Sequence, residues 1–162
     1  MDFDLRILIA DDQKEFCEIF KDLLKSLNCK VFCTSNPDEV VETIFENEIH
    51  LVFLDKRFPS DGRGIELLKE IKKVQPQTEV VMMTSFPDAT SSHEALQESA
   101  SGYFIKTDDY ETLLETTKFL IEKIKKNRKE ENEIKNLEIA KKTLSDWNTE
   151  LIKKLKKLEG KS

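Results

Sequence analysis

The sequence predicts an α/β fold, a five-stranded parallel sheet covered by helices on both faces and continued by one long helix. Three observations predict it. Up to about residue 106, short apolar runs alternate with stretches whose apolar residues recur every three or four positions, the pattern of strands alternating with amphipathic helices. The runs at 51–54 and 80–83 are apolar without alternation, as strands of a sheet buried on both sides are. From residue 109 to residue 159 there is neither Gly nor Pro, so a single helix can run through.

The elements follow in order. Strands are expected at 5–10, 30–34, 51–54, 80–83 and 103–105. The first helix is signalled by Phe16, Ile19, Phe20, Leu23 and Leu24, and the second by Val40, Val41, Ile44 and Phe45. The third is signalled by Ile65, Leu67, Leu68, Ile71 and Val74. The fourth, at 89–100, has almost no apolar stripe and is marked by Pro87-Asp88 before it and Gly102 after it. In the fifth, Leu113, Leu114, Thr117, Leu120, Ile121 and Ile124 can pack on the sheet. Right-handed crossovers then fix the winding. Beyond a polar stretch at 125–133, Leu137, Leu144, Leu151 and Leu158 repeat every seven residues. Ile134, Lys141, Asn148 and Leu155 hold the alternate seam positions. This is a coiled-coil pattern, and an Asn in the seam favours a parallel dimer. Lys141 in the seam and the flanking pair Glu133/Glu138 oppose it; the alternative is a helix folded back on its own domain.

Composition agrees with this division. The 162 residues suit one domain plus an appendage. The charged fraction of 36% exceeds the globular average of about 25%, as a long exposed helix would make it. Residues 1–120 carry 13 Lys and Arg against 24 Asp and Glu, whereas residues 121–162 carry 13 against 8. The tail's lysines alternate with glutamates, the pattern of a solvated helix rather than a nucleic-acid surface. Cys17, Cys29 and Cys33 lack metal-ligand spacing and are expected as buried free thiols. No run approaches the roughly 18 apolar residues of a membrane span, so the protein is expected to be soluble and cytoplasmic. The domains are expected at 1–124 and 125–162.

The chemistry lies at the strand ends. Asp11 and Asp12 follow the first strand, Asp55 the third, Thr84 the fourth and Lys106 the fifth. In a parallel sheet these ends share one edge, where open α/β folds bind ligands. Three carboxylates there call for a divalent cation, and oxygen-only ligands favour magnesium, calcium or manganese. A hydroxyl and an ammonium beside them suit phosphoryl oxygens, making a site for metal-assisted phosphoryl transfer.

Taken together, Ile9-Ala10-Asp11-Asp12, Leu54-Asp55 with Pro59, Met83-Thr84-Ser85 and Gly102-Tyr103-Phe104-Ile105-Lys106 resemble the receiver domain of two-component response regulators, the fold of the chemotaxis regulator, over residues 4 to about 124. The resemblance implies a flavodoxin-like sheet of order 2-1-3-4-5. It implies Asp55 as phosphoacceptor for a histidine kinase or phosphotransfer protein, and Mg²⁺ held by Asp11, Asp12, Asp55 and the backbone carbonyl of Arg57. Lys106 and Thr84 would contact the phosphoryl group. Thr84 and Tyr103 would form the switch, passing the signal through the α4-β5-α5 face to a dimeric coil.

Two departures stand out. Thr107 takes the place of the proline that usually follows the lysine. The usual glycine eight residues past the phosphoacceptor falls on Arg63, between Gly62 and Gly64, so a one-residue insertion between 58 and 63 is expected. Arg57 and Phe86 flank the pocket at positions that tune phosphoryl lifetime, predicting a longer lifetime than the chemotaxis regulator's. A pseudo-receiver that is never phosphorylated and serves as a dimerisation scaffold is the alternative. An aspartate-nucleophile phosphatase would need a second acid where Arg57 stands. The helix is expected to lead into a further domain (a kinase, cyclase, phosphatase or sensory domain), with no direct contact to nucleic acid.

Overall fold

The computed structural model describes residues 4–60, 62–106 and 109–161. Five strands alternate with five helices: β1 (Arg6–Ala10), α1 (Lys14–Leu24), β2 (Lys30–Thr34), α2 (Val40–Asn47), β3 (Leu51–Asp55), α3 (Arg63–Val74), β4 (Glu79–Thr84), α4 (Ala89–Gln97), β5 (Gly102–Ile105) and α5 (Tyr110–Glu159). Single turns of 3₁₀ helix lie at Lys25–Leu27 and Pro37–Glu39. The sheet is parallel throughout, in the order β2-β1-β3-β4-β5. This is the doubly wound order that the resemblance implied.

The continuous apolar strands are buried along their whole length: β3 and β4 have no exposed position. Alternate side chains go to opposite faces. Ile7, Ile9, Phe53, Val81 and Met83 meet Phe16, Phe20, Leu120 and Ile124 on one side. Leu8, Val52, Leu54, Val80 and Met82 meet Val40, Ile44, Leu68 and Ile71 on the other. The helical stripes are wider than these contacts, so Ile19, Phe45 and Val74 remain exposed. The expectation of three buried thiols is corrected: Cys17 is buried, Cys29 half-buried and Cys33 exposed, because β2 is an edge strand whose covering is incomplete.

The chain divides into two compact units, Met1–Ile124 and Lys125–Ser162, with α5 contributing to both. In the first unit α5 buries Leu113, Thr117, Leu120, Ile121 and Ile124. In the second, every described residue is exposed, including Ile134, Leu137, Leu144, Trp147, Leu151, Leu155 and Leu158. Among the described residues no helix is long and apolar enough to cross a membrane.

Candidate functional site

Pairing in register carries β1, β3 and β4 to one edge of the sheet, ending at Ala10, Asp55 and Thr84. Asp11 follows at once and is held in line, its N–H donating to Thr34 O (3.1 Å). Its carboxylate accepts from the Gln13 N–H (2.9 Å). Asp12 is exposed and does not cap α1, whose N-cap is Gln13 without a side-chain hydrogen bond. Asp11 is fully buried and Asp55 nearly so. One carboxylate oxygen from each of Asp11, Asp12 and Asp55 lies within 4.8 Å of the others.

Lys106 completes the cluster. Its N–H donates to Thr84 O (2.8 Å), extending the β4–β5 ladder by one residue. Its ammonium pairs with Asp11 and lies 3.0 Å from Asp55 Oδ1. It also sits 4.6 Å above the centre of the Phe16 ring. Burial pushes the Asp11 carboxyl above its usual range, against the pull of Lys106 and the Gln13 N–H. Burial pulls Lys106 down, but Asp11 and Asp55 outweigh it and hold the ammonium above the ordinary lysine value.

Thr84 is buried, and its hydroxyl closes a turn, donating to Phe86 O (3.2 Å) and accepting from Phe86 N–H (3.1 Å). The Tyr103 hydroxyl is buried and has no hydrogen-bond partner among the described residues. Burial, first of all, raises its pKa; Lys56 opposes that and Asp88 adds to it. The Arg57 side chain is exposed, with its guanidinium 4.7 Å from the centre of the Phe86 ring. Thr107 lies outside the described residues, as does Asp61 in the loop expected to hold the insertion.

The loop's glycine is nevertheless identifiable. A Cβ on Gly64 would stand 2.6 Å from Lys56 O and clash with Asp55 O as well. Gly64 N–H donates to Lys56 O (3.1 Å). The close-packing glycine is thus Gly64, one residue later than usual. Gly62 serves differently, capping α3 at φ 84°.

Sequence reasoning missed Lys56. It directly follows Asp55, is 5% exposed, and pairs its ammonium with Asp88 at the start of α4. A lysine adjoining an unbroken apolar strand was the available signal. The pair ties the Asp55 strand end to the β4–α4 turn, close to the Tyr103 hydroxyl.

The arrangement fits a hard divalent cation: the donors are oxygens only, two of three carboxylates are buried, and among the described residues no histidine or thiolate joins them. Asp11, Asp12 and Asp55 are the residues that would hold it.

Residues 7–118 match the family model described as the response regulator receiver domain. The chain is 35% identical over 107 residues to the transcriptional regulatory protein ZraR of Klebsiella oxytoca, covering 66% of this chain and 24% of that protein. It is 35% identical over 112 residues to the transcriptional regulatory protein LnrK of Bacillus subtilis (strain 168), covering 68% and 50%. The chain therefore spans between a quarter and a half of the length of these relatives. A CheY-like response regulator receiver domain protein from Methanospirillum hungatei JF-1 superposes with a TM-score of 0.71 at 26% identity, over 77% of this chain and 99% of that one. A two-component response regulator from Clostridium difficile superposes with a TM-score of 0.67 at 28% identity, over 74% and 97%.

Proposed function

The chain belongs to the response regulator receiver domain family, and from that premise we propose that it is a working phospho-switch. Asp55 accepts a phosphoryl group from a histidine kinase or phosphotransfer protein, and the output passes through a parallel homodimer formed by residues 134–158. The observation that carries the reading is the clustering of Asp11, Asp12, Asp55 and Lys106 at the sheet edge.

An Asp55 carboxylate oxygen attacks phosphorus, an O–P bond forms, the donor's N–P bond breaks, and the imidazole leaves. A bound Mg²⁺ would supply charge neutralisation between the carboxylates and the incoming phosphoryl group. Lys106, already 3.0 Å from Asp55, meets a phosphoryl oxygen as a point charge. Thr84 exchanges its hydrogen bonds with Phe86 for one to the phosphoryl group. The β4–α4 turn shifts, and with it the ring of Tyr103 and the α4-β5-α5 face. The protein works on no substrate beyond its own phosphotransfer and dephosphorylation, and it works in the cytoplasm. The output is the helix rather than nucleic acid, because the tail's lysines alternate with glutamates.

Intact mass after incubation with acetyl phosphate and Mg²⁺ tests the reading. One phosphoryl adduct in the wild type, absent in Asp55→Asn, is the expected result. No adduct, with Mg²⁺ binding also undetectable, would move the protein to the non-phosphorylated scaffold.

A further inference from the structure

Two of the three thiols, Cys17 and Cys33, lie on successive elements of the chain, α1 and β2. Cys17 lies on α1 with its Sγ 3.7 Å from Asp11 O, in the core on the α1 and α5 side of the sheet. Cys33 lies on β2 opposite Ile9 of β1. Ile9 belongs to that same core, and laterally paired residues project from the same face of a sheet. Cys17 and Cys33 thus share one face of the sheet as neighbours, each perturbing the other's titration. The two differ in exposure: Cys17 is 5% exposed and Cys33 is open to solvent. Cys29 is set apart, its Sγ donating to Leu24 O (3.4 Å).

We propose that Cys17 and Cys33 are a reversible oxidation site, closing an intramolecular disulfide that ties α1 to the edge strand β2. Cys33 is the sulfur that reacts first. It is accessible, and the neighbouring Cys17 thiol, with help from Lys21, draws its pKa below the usual thiol value. The oxidant is a peroxide. The Cys33 thiolate attacks one peroxide oxygen, the O–O bond breaks, and Cys33 becomes a sulfenic acid while the other oxygen leaves as water after protonation. The Cys17 sulfur then attacks the Cys33 sulfur, the S–S bond forms, the S–O bond breaks, and water departs with the Cys17 proton. Two thiols lose two electrons and one peroxide becomes two waters. A dithiol reverses the bond by exchange. Reducing compartments disfavour standing disulfides, so a bond of this kind acts transiently.

The test is made on the full chain, folded, with hydrogen peroxide followed by a thiol-alkylating reagent and intact mass. The expected product is lighter by two hydrogens and carries one alkyl group, mapped to Cys29. Dithiothreitol should restore three alkylatable thiols. Cys17→Ala, checked for native circular dichroism, should instead leave Cys33 as a sulfenic acid that a 1,3-diketone probe traps. Three free thiols after peroxide, a disulfide to Cys29, bonds only between chains, or equal further oxidation of Cys33 in wild type and Cys17→Ala would each overturn the proposal.

Discussion

The acid pocket and the tail of α5 break the same rule in opposite directions. In the pocket, Asp11, Asp55 and the Lys106 side chain are at most 8% exposed, although charged groups belong in water. In the tail, Leu137, Leu144, Trp147, Leu151 and Leu158 are at least 60% exposed, although apolar groups do not. The pocket resolves its conflict within the chain by pairing carboxylates with an ammonium. In the tail every described residue is exposed, and a periodic apolar stripe is the kind a second helix stabilises. One region is therefore read by adding a ligand, the other by adding a protomer.

The largest effect should come from breaking the tail alone. Leu144→Pro with Leu151→Pro costs about 3 kcal/mol of helix stability at each site and should abolish the proposed dimer in sedimentation equilibrium. Phosphoryl uptake should be unchanged. A dimer that survives would move the interface to the receiver face. Next comes the ion pair beside the pocket. Asp88→Asn removes one carboxylate partner of the buried Lys56 ammonium. Because Asp88 is 46% exposed, the expected loss is about 1–2 kcal/mol in urea unfolding, below the roughly 3–5 of a fully buried pair. An unchanged unfolding midpoint would show that the pair contributes nothing.

A smaller change concerns the pocket's lip. The wild-type phosphoryl group should last longer than the chemotaxis regulator's, and decay within seconds would refute this. Arg57→Ala and Phe86→Ala should each shorten it by roughly two- to fivefold, in keeping with the ~0.5–1 kcal/mol of an exposed cation–π contact. The smallest effect is on the alkaline side. The Lys106 pKa is raised in the folded state, so its contribution to stability is complete below the unfolded-state value. It is lost as pH climbs through the folded-state value. Above about pH 10 the wild type should lose stability more steeply than Lys106→Met. Parallel profiles would show that the ammonium's pairing is not what stabilises it.

Most of the sheet was legible because its strands are written as apolar runs closed by Asp11, Asp55, Thr84 and Lys106, whereas the strand order came from the resemblance to receiver domains. The acid cluster was legible for the same reason: a strand's end is a position in space once the sheet is parallel. Lys56 was not, since its partner Asp88 lies 32 residues away and neither residue signals the other locally. Burial of the thiols was misjudged because apolar character says which face a residue takes. It does not say which strand ends up at an edge, where Cys33 lies.

The two glycines flanking Arg63 set different limits on how this chain can vary. Gly62 is there for its backbone angle, with open space around it, so a substitute there is strained by its φ of 84° rather than by any clash, Asn or Asp least. Gly64 is there for its missing atom: any substitute would push against the carbonyls of Asp55 and Lys56 and displace the strand end that bears the phosphoacceptor. A lineage can therefore lengthen this loop, but the glycine has to travel with the change. The spacing between Asp55 and that glycine is free to drift, and the contact between them is not.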